Sequence, residues 1–463
     1  MKKERFVKAV ITGAFQVLNG LIGLSGTFLR FVVWLSLNLM GPFAKGKEEM
    51  EQNVSNAKGI FLKGQGLGLL ERIRKNMHPG CRKKFFTNLV ISSIIPPRGY
   101  IEYEKKYGDR PPYTILISPT MRCNYRCKGC YALDYQKAHD LPIEVVHNVI
   151  EQGEKFLSPA FWTILGGEPF IWDGLGEMLE KHPQSYFQVY TNGSLIDEEK
   201  ARKLQKLGNV FVQISLEGTK EETDKRRGKG AYQRVMKVMD ILKKYRVPFG
   251  FSIDVTRENV YDVMSDQFLD LMIQKEALMG WYFLSMPIGG GTLDFMPLPE
   301  QRLWMKWRRG EIRNTKPIFI VDFWNDAPFV DGCIAGAKGF CHINCFGDVE
   351  PCIFIHMAVD NIKKVPLEQA LNSDFFRAMR GRQPFNENRY LPCQIIDNPE
   401  VLKELYEKYH PYPTHPGYER VVTQDHAALL EYAEGVKKLY DSIWKKEKDE
   451  WKRKGYLKKK LMF

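Results

Sequence analysis

The sequence predicts an α/β fold in which a parallel sheet curls into a partial (β/α)6 barrel, preceded by an apolar helical segment and followed by a small cysteine-bearing domain. Three observations predict it. From residue 113 onward, short runs of β-branched and aromatic residues alternate with amphipathic stretches of helical period. Residues 9–29 carry no charge over 21 positions. Eight of the nine cysteines fall into two groups, at 123–130 and 333–393. A chain of 463 residues with 44% apolar content can bury a full core, which excludes general disorder. Clustered cysteines in a chain of this length indicate metal ligation, not the disulfide framework of a small secreted domain.

Residues 1–47 are expected to anchor the chain to a membrane. The run AVITGAFQVLNGLIGLSGTFL at 9–29 is long enough to cross a bilayer, and after Arg30 a second run, FVVWLSLNLMGPFA, reaches residue 44. Lys2, Lys3, Arg5 and Lys8 precede the first run, and Lys45 and Lys47 follow the second. Positive charge on both flanks does not orient a single span. It suits a hairpin or an in-plane helix pair with both ends cytosolic, with Gly20, Gly23 and Gly26 easing the bend. The expected location is the cytoplasmic face of the cell membrane, with the lipid bilayer as partner through residues 9–44. Export behind a signal peptide fits badly, because clustered thiols need a reducing compartment.

Residues 48–110 form a linker and helical region. Gly64, Gly66 and Gly68 in KGQGLG follow no strand and indicate a flexible link more than a phosphate loop. The stretch FFTNLVISSIIPPRGYI at 85–101 is expected to be a buried element.

Residues 111–325 carry the barrel pattern. Strand-like runs lie at 113–119, 161–165, 186–190, 209–216, 248–255 and 281–286, with helical stretches such as 142–157 and 232–245 between them. Pro142 and Asp197 are helix-opening signals. Six β-then-α units imply a partial, TIM-like barrel, whose active groups lie at the C-terminal ends of the strands.

Directly after the first strand comes MRCNYRCKGCY, with Cys123, Cys127 and Cys130 spaced x3 then x2 and Tyr131 following. Three thiolates on one tight loop can hold three irons of a [4Fe–4S] cube and leave the fourth without a protein ligand. Zinc sites use four protein ligands or keep one position for water, usually from paired CxxC halves. The loop resembles the signature of the radical S-adenosylmethionine superfamily. Further family motifs follow at successive strand ends: Gly166-Gly167-Glu168-Pro169, then Thr191-Asn192-Gly193, then Ser215-Leu216-Glu217-Gly218, then Asp224-Lys225-Arg226-Arg227-Gly228. The last has Thr223 where the family commonly has histidine. The resemblance implies that S-adenosylmethionine ligates the open iron and that one electron cleaves it to a 5′-deoxyadenosyl radical, which abstracts hydrogen. It assigns the GGEP loop to the methionine amino group, Ser215 and Glu217 to the ribose, and Arg227 to the methionine carboxylate, with Asn192 and Tyr131 beside them. A guanidinium meets a carboxylate through two parallel bonds, which suits Arg227 to that role.

In the C-terminal part, Cys333, Cys341, Cys345, Cys352 and Cys393 resemble the auxiliary-cluster extension called a SPASM or twitch domain, placed at 326–400. Cys333, thirteen residues, Gly347, four residues and Cys352 fit its opening, whereas the later cysteines of a complete SPASM domain are missing except Cys393. Five thiols suffice for one auxiliary [4Fe–4S] cluster. Cys333, Cys352 and Cys393 are the first ligands expected, then Cys345 or Cys341. A zinc site is the main alternative there. His342 and His356 are expected to be packing or surface residues, and Cys81 structural.

The formal charge of +13 indicates an anionic partner. No RNP signature, zinc finger or helix-turn-helix is present, so nucleic acid is not expected. A membrane surface or an acidic low-potential electron donor such as ferredoxin or flavodoxin accounts for it equally. Residues 401–463 are expected to be a basic helical tail, with nine basic against three acidic residues from Lys445 to Lys460, either solvated or bound to headgroups.

The leading expectation for substrate joins anchor and barrel: a membrane lipid whose hydrocarbon chain loses hydrogen, with C–C bond formation or another change following. Trp304, Trp307, Phe319, Phe323 and Trp324 are candidates for an apolar channel or for core packing. The alternative is a peptide-modifying maturase of SPASM/twitch type, which would carry an N-terminal precursor-binding module of strands and helices. A non-catalytic iron–sulfur carrier or scaffold is the alternative of another class, disfavoured by the intact S-adenosylmethionine motifs.

Overall fold

A computed structural model of the chain describes residues 65–94, 96–132, 139–289 and 291–457. The expected anchor at 9–44 lies outside these residues. Among the described residues no helix is long and apolar enough to cross a membrane.

Three helical pieces come first: α1 (Gly66–Asn76), α2 (Pro79–Lys84), which runs on into a π-helical turn at Phe85–Ile91, and α3 (Arg98–Tyr107). The barrel follows as β1 (Thr114–Thr120), α4 (Ile143–Gly153), β2 (Phe161–Gly166), α5 (Leu175–Lys181), β3 (Tyr186–Thr191), α6 (Glu198–Leu207), β4 (Val210–Ser215), α7 (Lys220–Arg227), α8 (Ala231–Lys244), β5 (Phe249–Val255), α9 (Asp266–Gln274) and β6 (Met279–Leu284). Each of the six expected strands is present. Helix α10 (Pro299–Thr315) leads to one more parallel strand, β7 (Phe319–Asp322), paired with β6 at Met279↔Phe319. The sequence reading missed it because FIVD is only four residues long and its aromatic residue suggested a channel wall.

After β7 the chain crosses to the other edge of the sheet. Strand β8 (Phe340–Ile343) pairs parallel with β1, and β9 (Asp348–Glu350) and β11 (Asp360–Asn361) extend that edge antiparallel, giving the order β11-β9-β8-β1-β2-β3-β4-β5-β6-β7. Strands β10 (Met357–Ala358) and β12 (Tyr412–Pro413) form a separate ribbon. The cysteine-bearing domain is therefore continuous with the barrel sheet, sharing β1.

Parallel strands covered on both faces are apolar throughout, and β4 and β5 are buried along almost all their length. Phe187, Val189, Val212, Ile214, Phe251 and Ile253 pack beneath the outer helices in the main core. The alternate side chains, among them Tyr190, Ser252, Trp281 and Phe283, face the concave side, where Tyr190 meets Phe283 edge to face. Asp197 opens α6 as expected, its side chain accepting the Lys200 N–H at 2.8 Å. Asp197→Ala should cost about 1 kcal/mol of stability, read by denaturant unfolding.

The helices before the barrel plug its lower end. Met77 and Cys81 pack against Tyr186, Phe211 and Leu278, at or just before the starts of β3, β4 and β6. Arg72 fastens the plug through hydrogen bonds to the carbonyls of Pro317 (2.7 Å) and Ala277 (2.8 Å). Cys81 is structural, donating to the Gln205 carbonyl. Closing the bottom leaves the mouth at the strand C-termini as the open end.

The last elements are α11 (Asp374–Gly381), α12 (Pro399–Tyr409) and α13 (His426–Arg453). Helix α13, where a basic tail was expected, docks an apolar face: Val436, Tyr440, Trp444 and Trp451 form a second core with Tyr390 and Leu391. Its charges are the outward face of a packed helix.

Candidate active site

Cys123, Cys127 and Cys130 sit on the loop leaving β1 at the barrel mouth. The Cys130 N–H bonds to the Cys127 carbonyl (3.2 Å), and Gly129 takes the left-handed conformation that this tight return needs (φ +71°). The Tyr125 N–H points at Cys123 Sγ (3.4 Å), Asn192 Nδ2 lies 3.8 Å from the same sulfur, and Arg227 Nη1 lies 4.0 Å from Cys127 Sγ. Burial pushes the free Cys123 thiol up to about 11 and raises Cys130 as well, and the neighbouring thiols add to both effects. Soft donors that repel one another as anions, ringed by N–H and guanidinium donors, fit a site meant to carry iron in place of those protons.

The Gly166–Gly167 turn presses directly on this loop. A Cβ on Gly166 would lie 2.3 Å from the Thr120 carbonyl oxygen, and one on Gly167 2.2 Å from that of Arg122. The Gly167 and Glu168 N–H groups bond to those same two carbonyls, each at 2.9 Å. Gly167→Ala must therefore displace backbone. A shift of this kind at the reacting centre should lower 5′-deoxyadenosine formation about 10²-fold, measured under reducing anaerobic conditions.

Glu168 is fully buried and spends both oxygens within the chain. Oε1 accepts from Thr191 Oγ1 (2.6 Å) and the Phe170 N–H (3.1 Å), and Oε2 from the Asn192 N–H (2.7 Å). It thus ties the β2 loop to the β3 loop, and Pro169 opens the short 3-10 turn beside it. Asn192 in turn donates to Asn124 Oδ1 (2.9 Å) within the cysteine loop. Tyr131 donates to the Gly166 carbonyl at 3.3 Å and packs against Gly289.

Glu217, also buried, receives both arginines of the next motif: Arg226 Nη1 at 2.6 Å and Arg227 Nε at 2.7 Å, both on Oε1. Its Oε2 has no hydrogen-bond partner among the described residues. Arg226 also pairs with Asp254 on β5 (2.6 Å) and clamps the cysteine loop, its Nε donating to the Lys128 carbonyl (3.0 Å) while the Lys128 N–H returns to the Arg226 carbonyl (3.1 Å). Burial opposes the charge on Arg226, but Asp254, Glu217 and the nearby thiols outweigh it and keep the guanidinium protonated. Sequence reasoning singled out Arg227 and passed over Arg226 and Asp254. The signal available was an acidic residue at the C-terminal end of a barrel strand. The Arg227 fork, expected to be open for a carboxylate, is here engaged with Glu217. Ser215 lies 3.5 Å from Ser252 Oγ on the next strand.

Deeper in the barrel, Trp281, Phe283 and Phe323 stack with centroids 4.9–5.0 Å apart across Phe323, and Tyr190 closes on Phe283. Of the expected channel aromatics only Phe323 joins this wall. Trp304 meets Tyr261 edge to face, Trp307 and Phe319 are exposed, and Trp324 is core.

In the C-terminal domain the loops of Cys333, Cys352 and Cys393 touch one another, through the Ala337 N–H to the Pro351 carbonyl (3.0 Å) and through Gly336 against Gln394, whereas Cys341 lies within β8 and Cys345 packs on Met121 and Ala132. Among the described residues no three His, Cys, Asp or Glu side chains converge as they would on a single metal ion. Cys333 and Cys393 are partly buried and Cys352 is buried. His342 and His356 are fully buried, not surface residues. His342 bridges Ser118 (2.7 Å) and Glu350 (2.5 Å), and His356 packs between Tyr131 and Tyr418 with ring centroids at 6.0 and 5.5 Å.

With this geometry in place, comparison with known proteins is informative. Residues 117–264 match the radical SAM superfamily model, and residues 333–395 match SPASM, an iron–sulfur cluster-binding domain. The Fe-coproporphyrin III synthase of Methanosarcina barkeri is 30% identical over 172 residues, 36% of this chain and 42% of that protein. The AdoMet-dependent heme synthase of the same organism is 23% identical over 300 residues, 58% of this chain and 85% of that protein. The PqqA peptide cyclase of Gluconobacter oxydans is 25% identical over 312 residues, 63% of this chain and 84% of that protein. Among solved structures, Streptococcus suis SuiB bound to S-adenosylmethionine shares the fold with a TM-score of 0.53 at 17% identity, covering 72% of this chain and 81% of that one.

Proposed function

Because the chain is a radical S-adenosylmethionine enzyme with a SPASM domain, we propose that it modifies a peptide, abstracting hydrogen from an unactivated side-chain carbon. The observation that carries this reading is the likeness to PqqA peptide cyclase, which runs over 312 residues and so exceeds the radical domain alone. The bound [4Fe–4S] cluster and S-adenosylmethionine supply the carbon radical.

This chain's own residues do the rest. The loop of Cys123, Cys127 and Cys130 holds the cluster, with Arg226 and Asp254 bracing it. Gly166, Gly167, Asn192, Ser215, Glu217 and Arg227 shape the nucleoside site. Glu217 Oε2, with its acceptor capacity unspent, suits a ribose hydroxyl. Tyr190, Trp281, Phe283 and Phe323 offer a dry wall for a bulky side chain, which limits quenching of the radical. Among the described residues from 66 to 107 the elements are helices, and no strand module for a precursor is formed there. The peptide is held at the barrel mouth itself. The reductant is an acidic low-potential protein such as ferredoxin or flavodoxin, matching the charge of +13.

The uncharged run at 9–29 supports a second reading, a lipid hydrocarbon chain as substrate at the cytoplasmic face of the membrane. One experiment separates them. Peptides and lipids from a host expressing the chain are compared by mass spectrometry with those from a host expressing Cys127→Ala. A mass change in a small peptide encoded beside the gene supports the peptide reading. Unchanged peptides with an altered lipid profile reject it in favour of the second.

A further inference from the structure

Outside the barrel, a groove of about 460 Å³ runs between the second half of α4, with the residues just after it, and the turn that follows β11. One wall is Asn148, Glu151, Gln152 and Lys155, and the other is residues 362–366. The barrel and the cysteine-bearing domain meet along it, a common setting for a ligand site. The two walls are fastened together by the Leu367 N–H, which donates to Gln152 Oε1 at 2.8 Å.

Three lysines stand on this groove. Lys155, Lys363 and Lys364 are all exposed, and none has an ion-pair partner among the described residues. The one carboxylate of the lining, Glu151, is drawn off to Lys181 at 3.8 Å, and the neighbouring Glu368 is taken by Lys106 at 2.8 Å. The groove therefore keeps a positive field.

The turn offers a ligand no main-chain donor. The Ile362 N–H goes to the Gly347 carbonyl (2.7 Å), and the Lys364 and Val365 N–H groups go to the Asn361 carbonyl (2.8 and 3.1 Å). The Lys363 N–H goes to Asn361 Oδ1 (3.0 Å), and residue 366 is proline. A compact phosphate is usually held by such N–H groups. Nucleic-acid bases need aromatic side chains to stack on, and the lining has none. What remains is three ammonium point charges on flexible stems, spread along a groove. They suit carboxylates spaced along a chain, with Ile362 and Val365 in the lining to meet an aliphatic side chain.

We propose that this groove docks an acidic segment of the peptide substrate, away from the residue that is modified. The proposal rests on the peptide reading and adds to it. The reacting residue enters at the barrel mouth, while carboxylates elsewhere in the same peptide hold it on the outer face of the barrel. Such a hold raises the effective concentration of the reacting segment without any new contact at the mouth.

The test reads binding alone, so its failure leaves the mass-spectrometric test of the peptide reading untouched. Fluorescein-labelled hexaglutamate is titrated with the full holoenzyme at low ionic strength and followed by anisotropy, beside labelled hexaglutamine. Hexaglutamate should bind and hexaglutamine should not. The double variant Lys363→Glu with Lys364→Glu should weaken hexaglutamate binding at least about tenfold. Lys445→Glu with Lys446→Glu, on the exposed face of α13, should change it less than about twofold. Circular dichroism confirms that both variants fold. Carbodiimide coupling, which joins a carboxylate to a lysine amine, should place the peptide on Lys155, Lys363 or Lys364. Equal losses in the two double variants, or coupling spread along α13, overturn the proposal, since attraction to the net charge then suffices. Equal binding of hexaglutamine, no binding of hexaglutamate, or its displacement by an equal concentration of inorganic phosphate overturns it too. Docking at the groove with no modified peptide in the host would reject the peptide reading and keep the groove as an acidic-peptide site.

Discussion

Replacing Cys127 by alanine is expected to abolish 5′-deoxyadenosine formation from S-adenosylmethionine under dithionite and to lower iron from about eight to about four per chain. The effect is all-or-none because the loop offers three thiolates and nothing beside them to take a vacated iron. The side chains closest to Cys127 are donors: Arg227 lies 4.0 Å from its sulfur, and Arg226 holds the neighbouring Lys128 carbonyl. Two thiolates cannot retain a cube against competing chelation, and without the cube the nucleoside has no iron to bind. Yield is measured by chromatography of the quenched reaction, with iron and sulfide assayed on the same sample. An unchanged yield would reject this loop as the cluster site.

Asp397→Ala should destabilise the chain by about 3–5 kcal/mol, the largest effect expected outside the cluster ligands. Arg302 and Asp397 are both essentially inaccessible to solvent and pair at 2.7 Å. Burial works against the charge on Arg302, and Asp397 more than restores it. Removing the carboxylate strands a guanidinium whose Nε and Nη2 already have no hydrogen-bond partner among the described residues. It also frees the Cys393 N–H, so weaker retention of the auxiliary cluster should accompany the loss. Thermal unfolding of the variant beside the double change Arg302→Met with Asp397→Leu identifies the cause. The double variant should recover most of the loss, since a well-packed apolar pair avoids the stranded charge. If both unfold alike, packing and not charge dominates.

Much of the candidate site was legible because the barrel turns sequence order into spatial order. Each motif, from Cys123 to Arg227, directly follows a strand or sits in the connection after one, and parallel strands bring consecutive ends to one mouth. What each residue does there was less legible. The carboxylate of Glu168 reads as a ligand contact in GGEP, yet its oxygens bind Thr191, Asn192 and Phe170. Arg226 looked like an ordinary neighbour of Arg227 until Asp254 and Lys128 were placed beside it. The barrel plug had no readable signal, since GLGLLERIRKN carries the pattern of any amphipathic helix and its partners Tyr186, Phe211 and Leu278 are more than a hundred residues away.

The amino-acid sequence by itself determined the class of chemistry, the succession of the six barrel strands and the residues at the barrel mouth, because those depend on short spacings and on local hydrophobic period. Tertiary structure alone decided where each C-terminal cysteine stands. Cys341 and Cys345 are closer in the chain to Cys352 than Cys393 is, but β8 carries Cys341 into the sheet and the following turn sets Cys345 against the first site. Closeness along the backbone does not set where a side chain points once a strand has been paired. That direction comes from pairing with β1, a contact across more than two hundred residues.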